Sequence, residues 1–197
     1  MVGQTLLHCL KCLLGIDHPV TQTTADEQTS MLKYLKRSKL IAEIGVFEGY
    51  NTREFALNSS EEARVYAIDP FMKGALGVSY GKLIAYDTWK KNGVIDKIKV
   101  LNDLSWNVHS SLNEMFDFIF IDGDHSFEGV KKDFELYSQN LSEKGTIAFH
   151  DARIFNGGWT SENWGPVQLI EKIIKPNNQW KIVEEVDSTV FIQRSGI

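Results

Sequence analysis

Residues Ile41–Thr52, IAEIGVFEGYNT, decide how the rest of this 197-residue chain is read. The run Leu40-Ile41-Ala42 has the pattern of a buried strand, and Glu43, Gly45 and Gly49 follow it directly. Asn51 with Glu54 three residues later has the form of an N-cap pair opening a helix. A strand, a glycine turn and a helix N-terminus in succession make a loop for a nucleotide-type cofactor, because glycine lets a ligand approach bare backbone. The spacing is E-x-G-x-x-x-G. Dinucleotide sites instead use G-x-G-x-x-G and seat a pyrophosphate on the helix dipole. A dinucleotide dehydrogenase is therefore a poor fit.

Outward from this loop, strands and helices alternate, which predicts a mostly parallel sheet covered on both faces. Thr24 with Glu27 forms a capping box ahead of a helix over about 25–36, leading into a first strand at Leu40–Ile44. Val65–Ile68 is the second strand, followed by helical periodicity over 83–91 and a third strand at Ile98–Leu101. Phe116–Ile121, FDFIFI, is almost continuously apolar, as a central strand buried on both faces must be. Val130, Phe134, Tyr137 and Leu141 make one helical stripe, and Thr146–Phe149 is the fifth strand. A helix over 167–174 precedes Trp180–Val186 and Thr189–Gln193, which Asp187-Ser188 joins into an antiparallel hairpin at a sheet edge. Residues 1–39 read as an N-terminal helical extension and 40–197 as one compact domain, within the size that a single α/β core serves.

A formal charge of −5 argues against a general nucleic-acid or anionic-membrane surface. Lys36, Arg37 and Lys39 cluster where a helix should end, so a solvated helix terminus accounts for them. Cys9 and Cys12 lie in HCLKC among Leu6, Leu7, Leu10, Leu13 and Leu14 at helical spacing. They read as buried or half-buried thiols rather than a metal or redox pair. With no disulfide framework, a reducing cytoplasm is the default. His8 and Lys11 interrupt the leading apolar run, so neither a signal peptide nor a membrane span is expected there. That helix is free to dock on the domain, on a second subunit as a homodimer, or on a partner.

In open α/β sheets ligands collect at the carboxyl ends of the strands. Here those ends carry the glycine loop, then Asp69, then Asn102, Asp103 and Ser105, then Asp122, Asp124 and His125, and finally His150 and Asp151. One such aspartate is ordinarily a turn or helix cap. Five polar strand ends on one rim point to a site.

AEIGVFEGYNT, VYAIDPF and FIFIDGDHSFEGVKKDFELYSQNL…GTIAFHDA together resemble the Methyltransferase-24 type of class I S-adenosylmethionine (SAM) methyltransferases. That type is related to the macrocin-type sugar O-methyltransferases and, more distantly, to the catechol O-methyltransferases. The resemblance runs from about Leu40 to Val190. It implies a Rossmann-like class I methyltransferase fold with a seven-stranded, mostly parallel sheet, a C-terminal antiparallel hairpin and extra N-terminal helices. It implies SAM-dependent methylation of a small-molecule or saccharide hydroxyl. Glu43, Gly45, Val46, Phe47 and Gly49 match the loop under the methionine and ribose portions of SAM. Asp69 and Pro70 match the ribose contact, Asp103 and Ser105 the loop along the adenine, and Asp122 the aspartate beside the sulfonium.

In metal-dependent relatives the positions of Asp122 and Asp151 are cation ligands. With His150 they make the expected metal set here, suited to Mg²⁺ or Mn²⁺, or with imidazole present to Fe²⁺ or Zn²⁺. The next position, an oxygen donor in the catechol-type pattern, is Ala152. The set is thus short of one donor unless His150, Asp124 or His125 substitutes. Without a cation, His125 or His150 becomes the general base. The catalytic candidates are accordingly Asp122, His125 and His150. Two loops, Phe71–Lys82 and Arg153–Pro166 with Trp159 and Trp164, are placed to shape an acceptor pocket. The rival readings are a cephalosporin hydroxylase-like metal-dependent oxidoreductase on the same fold and a non-catalytic SAM-binding module.

Overall fold

The computed structural model describes residues 5–74 and 76–196, so residues 1–4 of the expected extension, Ala75 in the 71–82 loop, and Ile197 lie outside it. Its strands are β1 (Leu40–Ile44), β2 (Arg64–Ile68), β3 (Ile98–Leu101), β4 (Phe116–Ile121), β5 (Leu141–Phe149), β6 (Trp180–Val186) and β7 (Thr189–Arg194). They form one sheet in the order β3-β2-β1-β4-β5-β7-β6. β1 to β5 pair in parallel, and β7 runs antiparallel to both β5 and β6. The helices are α1 (Leu6–Leu13), α2 (Ala25–Leu35), α3 (Tyr50–Asn58), α4 (Tyr80–Lys91), α5 (Ser105–Val108), α6 (Phe127–Tyr137) and α7 (Gly165–Leu169). α7 continues as a π-helical turn over Ile170–Ile174.

Alternation along the strands sorts the core into two layers, as a period of two residues requires. Ala42, Ile44, Ile119, Ile121, Ile147 and Phe149 face Val130, Phe134 and Tyr137 of α6 and Leu169 of α7. Ile41, Val65, Ala67, Phe118 and Phe120 face Met31 and Leu35 of α2, Phe55 of α3 and Trp89 of α4. Phe55 meets Phe118 and Phe120 edge-on at 5.8 and 5.7 Å, a geometry that adds roughly 0.5–1.5 kcal/mol per pair beyond burial.

Three local expectations are corrected: the N-cap of α3, the place of Leu141 and the start of β5. The N-cap of α3 is Gly49, in the left-handed region at φ 76°, and not Asn51. The Asn51 side chain instead accepts hydrogen bonds from Thr23 at 3.0 Å and Thr21 at 3.5 Å, and Glu54 pairs with Arg53 at 2.6 Å. Leu141 belongs to β5, not to the α6 stripe, and opposite Phe116 it starts the strand five residues before Thr146. In α1 the buried face holds His8, Cys9 and Cys12, while Leu6, Leu7, Leu10, Leu13 and Leu14 face outward. The compact thiols let α1 approach Ile84 of α4 closely. His8 Nε2 meets the buried Glu48 carboxylate at 3.0 Å, so the polar group on this face is paired.

Candidate active site

Sheet order reverses between β1 and β4, and the crevice above that switch point is where an open α/β sheet receives its ligand. Gly45 (φ 89°) lets the β1 loop lie flat against the end of β4: a Cβ there would stand 2.1 Å from the Asp122 carbonyl oxygen. Gly49 works on the opposite side, where a Cβ would strike Ala85 and the Trp89 indole. Trp89 Nε1 donates to the Gly49 carbonyl at 2.9 Å. Glu43 is also behind the loop: it is 1 % exposed and accepts a short hydrogen bond from Thr52. Burial, reinforced by the nearby Asp122 and Asp69 charges, pushes its carboxyl well above the usual carboxylate range. Glu43 and Gly49 thus brace the loop and do not line the cavity.

The cavity in front measures about 580 Å³ and is lined by Gly45, Val46, Phe47, Asp69, Pro70, Ser105 and Asp122 among the expected cofactor residues. Asp103 is not among them. It is exposed and caps Leu104 N at 2.7 Å and Asn107 at 2.9 Å. Asp69 Oδ2 accepts from the Val46 and Phe47 amides at 2.8 and 3.1 Å, and Oδ1 accepts from Phe71 N at 2.6 Å. Its carboxylate therefore fixes the glycine loop while facing the cavity.

Met72, from the 71–82 loop expected to shape a pocket, forms one wall. Sequence reasoning missed two parts of the lining. Val20, Thr21 and Gln22, from the segment between α1 and α2, form another wall. Asp133 of α6 lies at the far end and accepts a short hydrogen bond from Ser105. Burial raises the Asp133 carboxyl to about 6. Its spacing of three from Val130 set it on the buried stripe, and that was the available signal.

Beyond the cavity, the ends of β4 and β5 bring four donors together. One ligand atom from each of Asp122, His125, His150 and Asp151 lies within 4.8 Å of all the others. His150 Nδ1 is 3.0 Å from Asp122 Oδ1 and 3.5 Å from Asp151 Oδ1. His125 Nε2 is 3.1 Å from Asp151 Oδ2 and 3.5 Å from Asp122 Oδ1. The gap left by Ala152 is filled by His125; Ala152 itself is buried and donates its N–H to Ser188 O at 2.8 Å. Asp124 takes no part, since its carboxylate caps Ser126 N at 2.8 Å. Asp151 adopts φ 54°, a strained value for a residue with a side chain and of the kind found at functional sites.

His150 is 1 % exposed and does not line the cavity. His125 does line it. Hydrogen bonding to Asp122, and then to Asp151, holds the His125 imidazole up at about 9. Burial opposes charge on both His150 and Asp122, yet their mutual attraction outweighs it, raising the first and lowering the second. Among the described residues no Lys or Arg pairs with Asp122, Asp151 or the adjacent buried Glu27. Three carboxylates around two imidazoles need either two imidazolium charges or a divalent cation on neutral imidazoles. The Nε2 atoms of His125 and His150 are buried and face carboxylate oxygens, Asp151 and Asp122 at 3.1 and 3.5 Å and Glu27 at 3.5 Å, so the donor set fits a cation. Trp159 borders the cluster and donates Nε1–H to Asp151 Oδ1 at 2.7 Å; Trp164 stands edge-on to His125 at 5.3 Å.

Residues 42–152 match the model of the Methyltransferase-24 family, described as a methyltransferase domain, over more than half of the chain. The chain belongs to the Methyltransferase-24 family. A curated relative of Dictyostelium discoideum, named "Probable caffeoyl-CoA O-methyltransferase 3", is 30 % identical over 133 residues, 64 % of this chain. This family member spans about half (49 %) of that relative's length. Solved structures share its fold. An O-methyltransferase from Bacillus cereus in complex with SAH superposes with a TM-score of 0.69 at 17 % identity, covering 98 % of this chain and 92 % of that one. The O-methyltransferase TomG from Streptomyces achromogenes, in complex with SAM, gives 0.69 at 13 % identity over 95 % and 88 %. The Methyltransferase-24 chain thus has the class I methyltransferase fold, with the hairpin and N-terminal helices expected of it.

Proposed function

We propose that the protein is a SAM-dependent O-methyltransferase of small-molecule hydroxyls, assisted by a divalent cation. The observation that carries this reading is that Asp122 and His125 belong both to the cavity wall and to the four-donor cluster. Cofactor and acceptor are thereby brought side by side.

In this reading Asp69 accepts from the ribose hydroxyls, a role suited to a group that only accepts hydrogen bonds. Gly45, Val46 and Phe47 offer backbone along the methionine portion, and Ser105 flanks the adenine. Glu43 and Gly49 act from behind by holding the loop. SAM supplies an electrophilic methyl group. Asp122, His125, His150 and Asp151 would hold the cation, whose contribution there would be to favour the deprotonated form of the acceptor hydroxyl. Two imidazoles in the set favour Mn²⁺, Fe²⁺ or Zn²⁺ over Mg²⁺. Holding both reactants in line supplies most of the acceleration, with no covalent enzyme intermediate. The exposed indole of Trp159 beside the cluster supports an acceptor that stacks, a saccharide or an aromatic ring. In this reading 40–197 is the cofactor-binding domain and 1–39 an N-terminal extension, of which Val20, Thr21 and Gln22 border the cavity. The outward leucines of α1 support a homodimer, which sedimentation at several concentrations tests. No described helix is long and apolar enough to cross a membrane, and with two free cysteines a cytoplasmic setting fits.

Calorimetric titration with S-adenosylhomocysteine, with chelator and with Mn²⁺, tests the reading. Micromolar binding, followed by a cation-dependent gain that Asp122→Ala abolishes, is the expected result; no binding in either condition overturns it. A second reading rests on the same two histidines and two carboxylates, which are also the donor types of redox iron. Oxygen consumption without turnover of SAM would select it.

A further inference from the structure

We infer that Glu27, in the first turn of α2, is the positioning residue for His150. The inference rests on the cation reading above. Glu27 lies outside residues 42–152, the span that matches the family model, and its place in the sequence explains it fully as the partner of Thr24 in a capping box. In the folded chain it does more. Its side chain is completely buried, and Oε2 faces His150 Nε2 across 3.5 Å. His150 Nδ1 faces Asp122 and Asp151, so it is the nitrogen turned toward the cluster. The remaining nitrogen, Nε2, is buried without a hydrogen-bond partner, and Glu27 is the charged group it meets.

A ligating histidine commonly gives its other N–H to a carboxylate, which fixes the tautomer and turns the ring. Glu27 is itself held for that task. Oε1 accepts from Ser188 N at 2.9 Å and Ser188 Oγ at 2.7 Å, while Oε2 accepts from Thr24 N at 2.8 Å. Ser188 also takes the Ala152 amide on its carbonyl at 2.8 Å and the Asp151 amide on its hydroxyl at 3.4 Å. One carboxylate on the N-terminal extension thus sets the ring of His150 directly and the strained Asp151 backbone through the β6–β7 turn.

The test separates the capping role from the positioning role. Glu27→Gln keeps a residue that completes a capping box, but it offers one acceptor oxygen where there were two. Thr24→Ala removes the cap hydroxyl while leaving the carboxylate and the Thr24 amide contact in place. Each variant of the full chain is titrated with Mn²⁺ calorimetrically, melted, and, loaded with Co²⁺, read by its visible ligand-field spectrum. Glu27→Gln is expected to bind Mn²⁺ about 10–100-fold more weakly and to shift the Co²⁺ spectrum, as loss of a partner behind a metal ligand does. Thr24→Ala is expected to melt earlier with Mn²⁺ affinity unchanged. Equal Mn²⁺ affinity in Glu27→Gln and parent overturns the inference, as does equal weakening in both variants. A parent chain that binds neither ion removes the cation reading and this inference with it.

Discussion

Replacing Gly45 by alanine tests the packing that makes the cofactor crevice. Two costs follow from the geometry. The backbone at φ 89° lies where a side chain is strained, at about 1–2 kcal/mol. The new Cβ would also stand 2.1, 2.5 and 2.9 Å from three backbone atoms of Asp122 and Gly123. Backbone cannot swing away as a side-chain tip can, so β4 and the loop must separate, at a further ~1–3 kcal/mol. At 2–4 °C per kcal/mol for a chain of this size, the two terms lower Tm by roughly 10 °C. Gly93→Ala is the control: its φ is 68° and nothing lies within 4 Å, so only the strain term applies. Melting both variants isolates the contact term, and titration with S-adenosylhomocysteine should show at least tenfold weaker binding in Gly45→Ala alone. Equal Tm losses in the two variants, with binding unchanged, would refute the close approach of the loop to β4.

Asp69→Asn removes the charge that two loop amides and, in the proposed complex, the ribose hydroxyls share. S-adenosylhomocysteine should bind about 10–100-fold more weakly, since hydrogen bonds to a charged group contribute 1.5–3 kcal/mol. Trp159→Phe keeps the ring but loses the donor to the buried Asp151 carboxylate; calorimetry should find Mn²⁺ affinity reduced about tenfold, and Tm without the ion should fall by roughly 2–10 °C. Asp133→Asn carries a pH signature. The folded carboxyl titrates at about 6 against 3.8 unfolded, so the parent holds this contribution below the unfolded value and loses it as pH rises through the folded one. Denaturant unfolding should therefore find the variant gaining on the parent between about pH 4 and 7, and a pH-independent difference would contradict the buried carboxyl.

Much of the fold was legible because its signals are local. The bounds of β1, β3, β4 and β6 agree with their apolar runs, and the Thr24–Glu27 box forms as spaced. The strand-end polar residues were legible as a set, because every parallel strand delivers its carboxyl end to the same rim. Other roles depended on what each residue meets across the fold. Glu43 and Gly49 sit in the motif like ligand contacts, yet the packing of α3 and α4 puts them behind the loop. The α1 cysteines read as buried and are, but His8 joins them on that face through Glu48, 40 positions away. His125 joined the donor set only when the turn after β4 folded beside β5. Periodicity along the chain reports which face of an element is apolar; it carries nothing about contacts such as Glu27 to Ser188, 161 residues apart. The sequence alone determined the sheet, the glycine loop and the rim of acids and histidines. The tertiary structure decided which of them face the cavity, because burial and hydrogen-bond direction are properties of elements packed together.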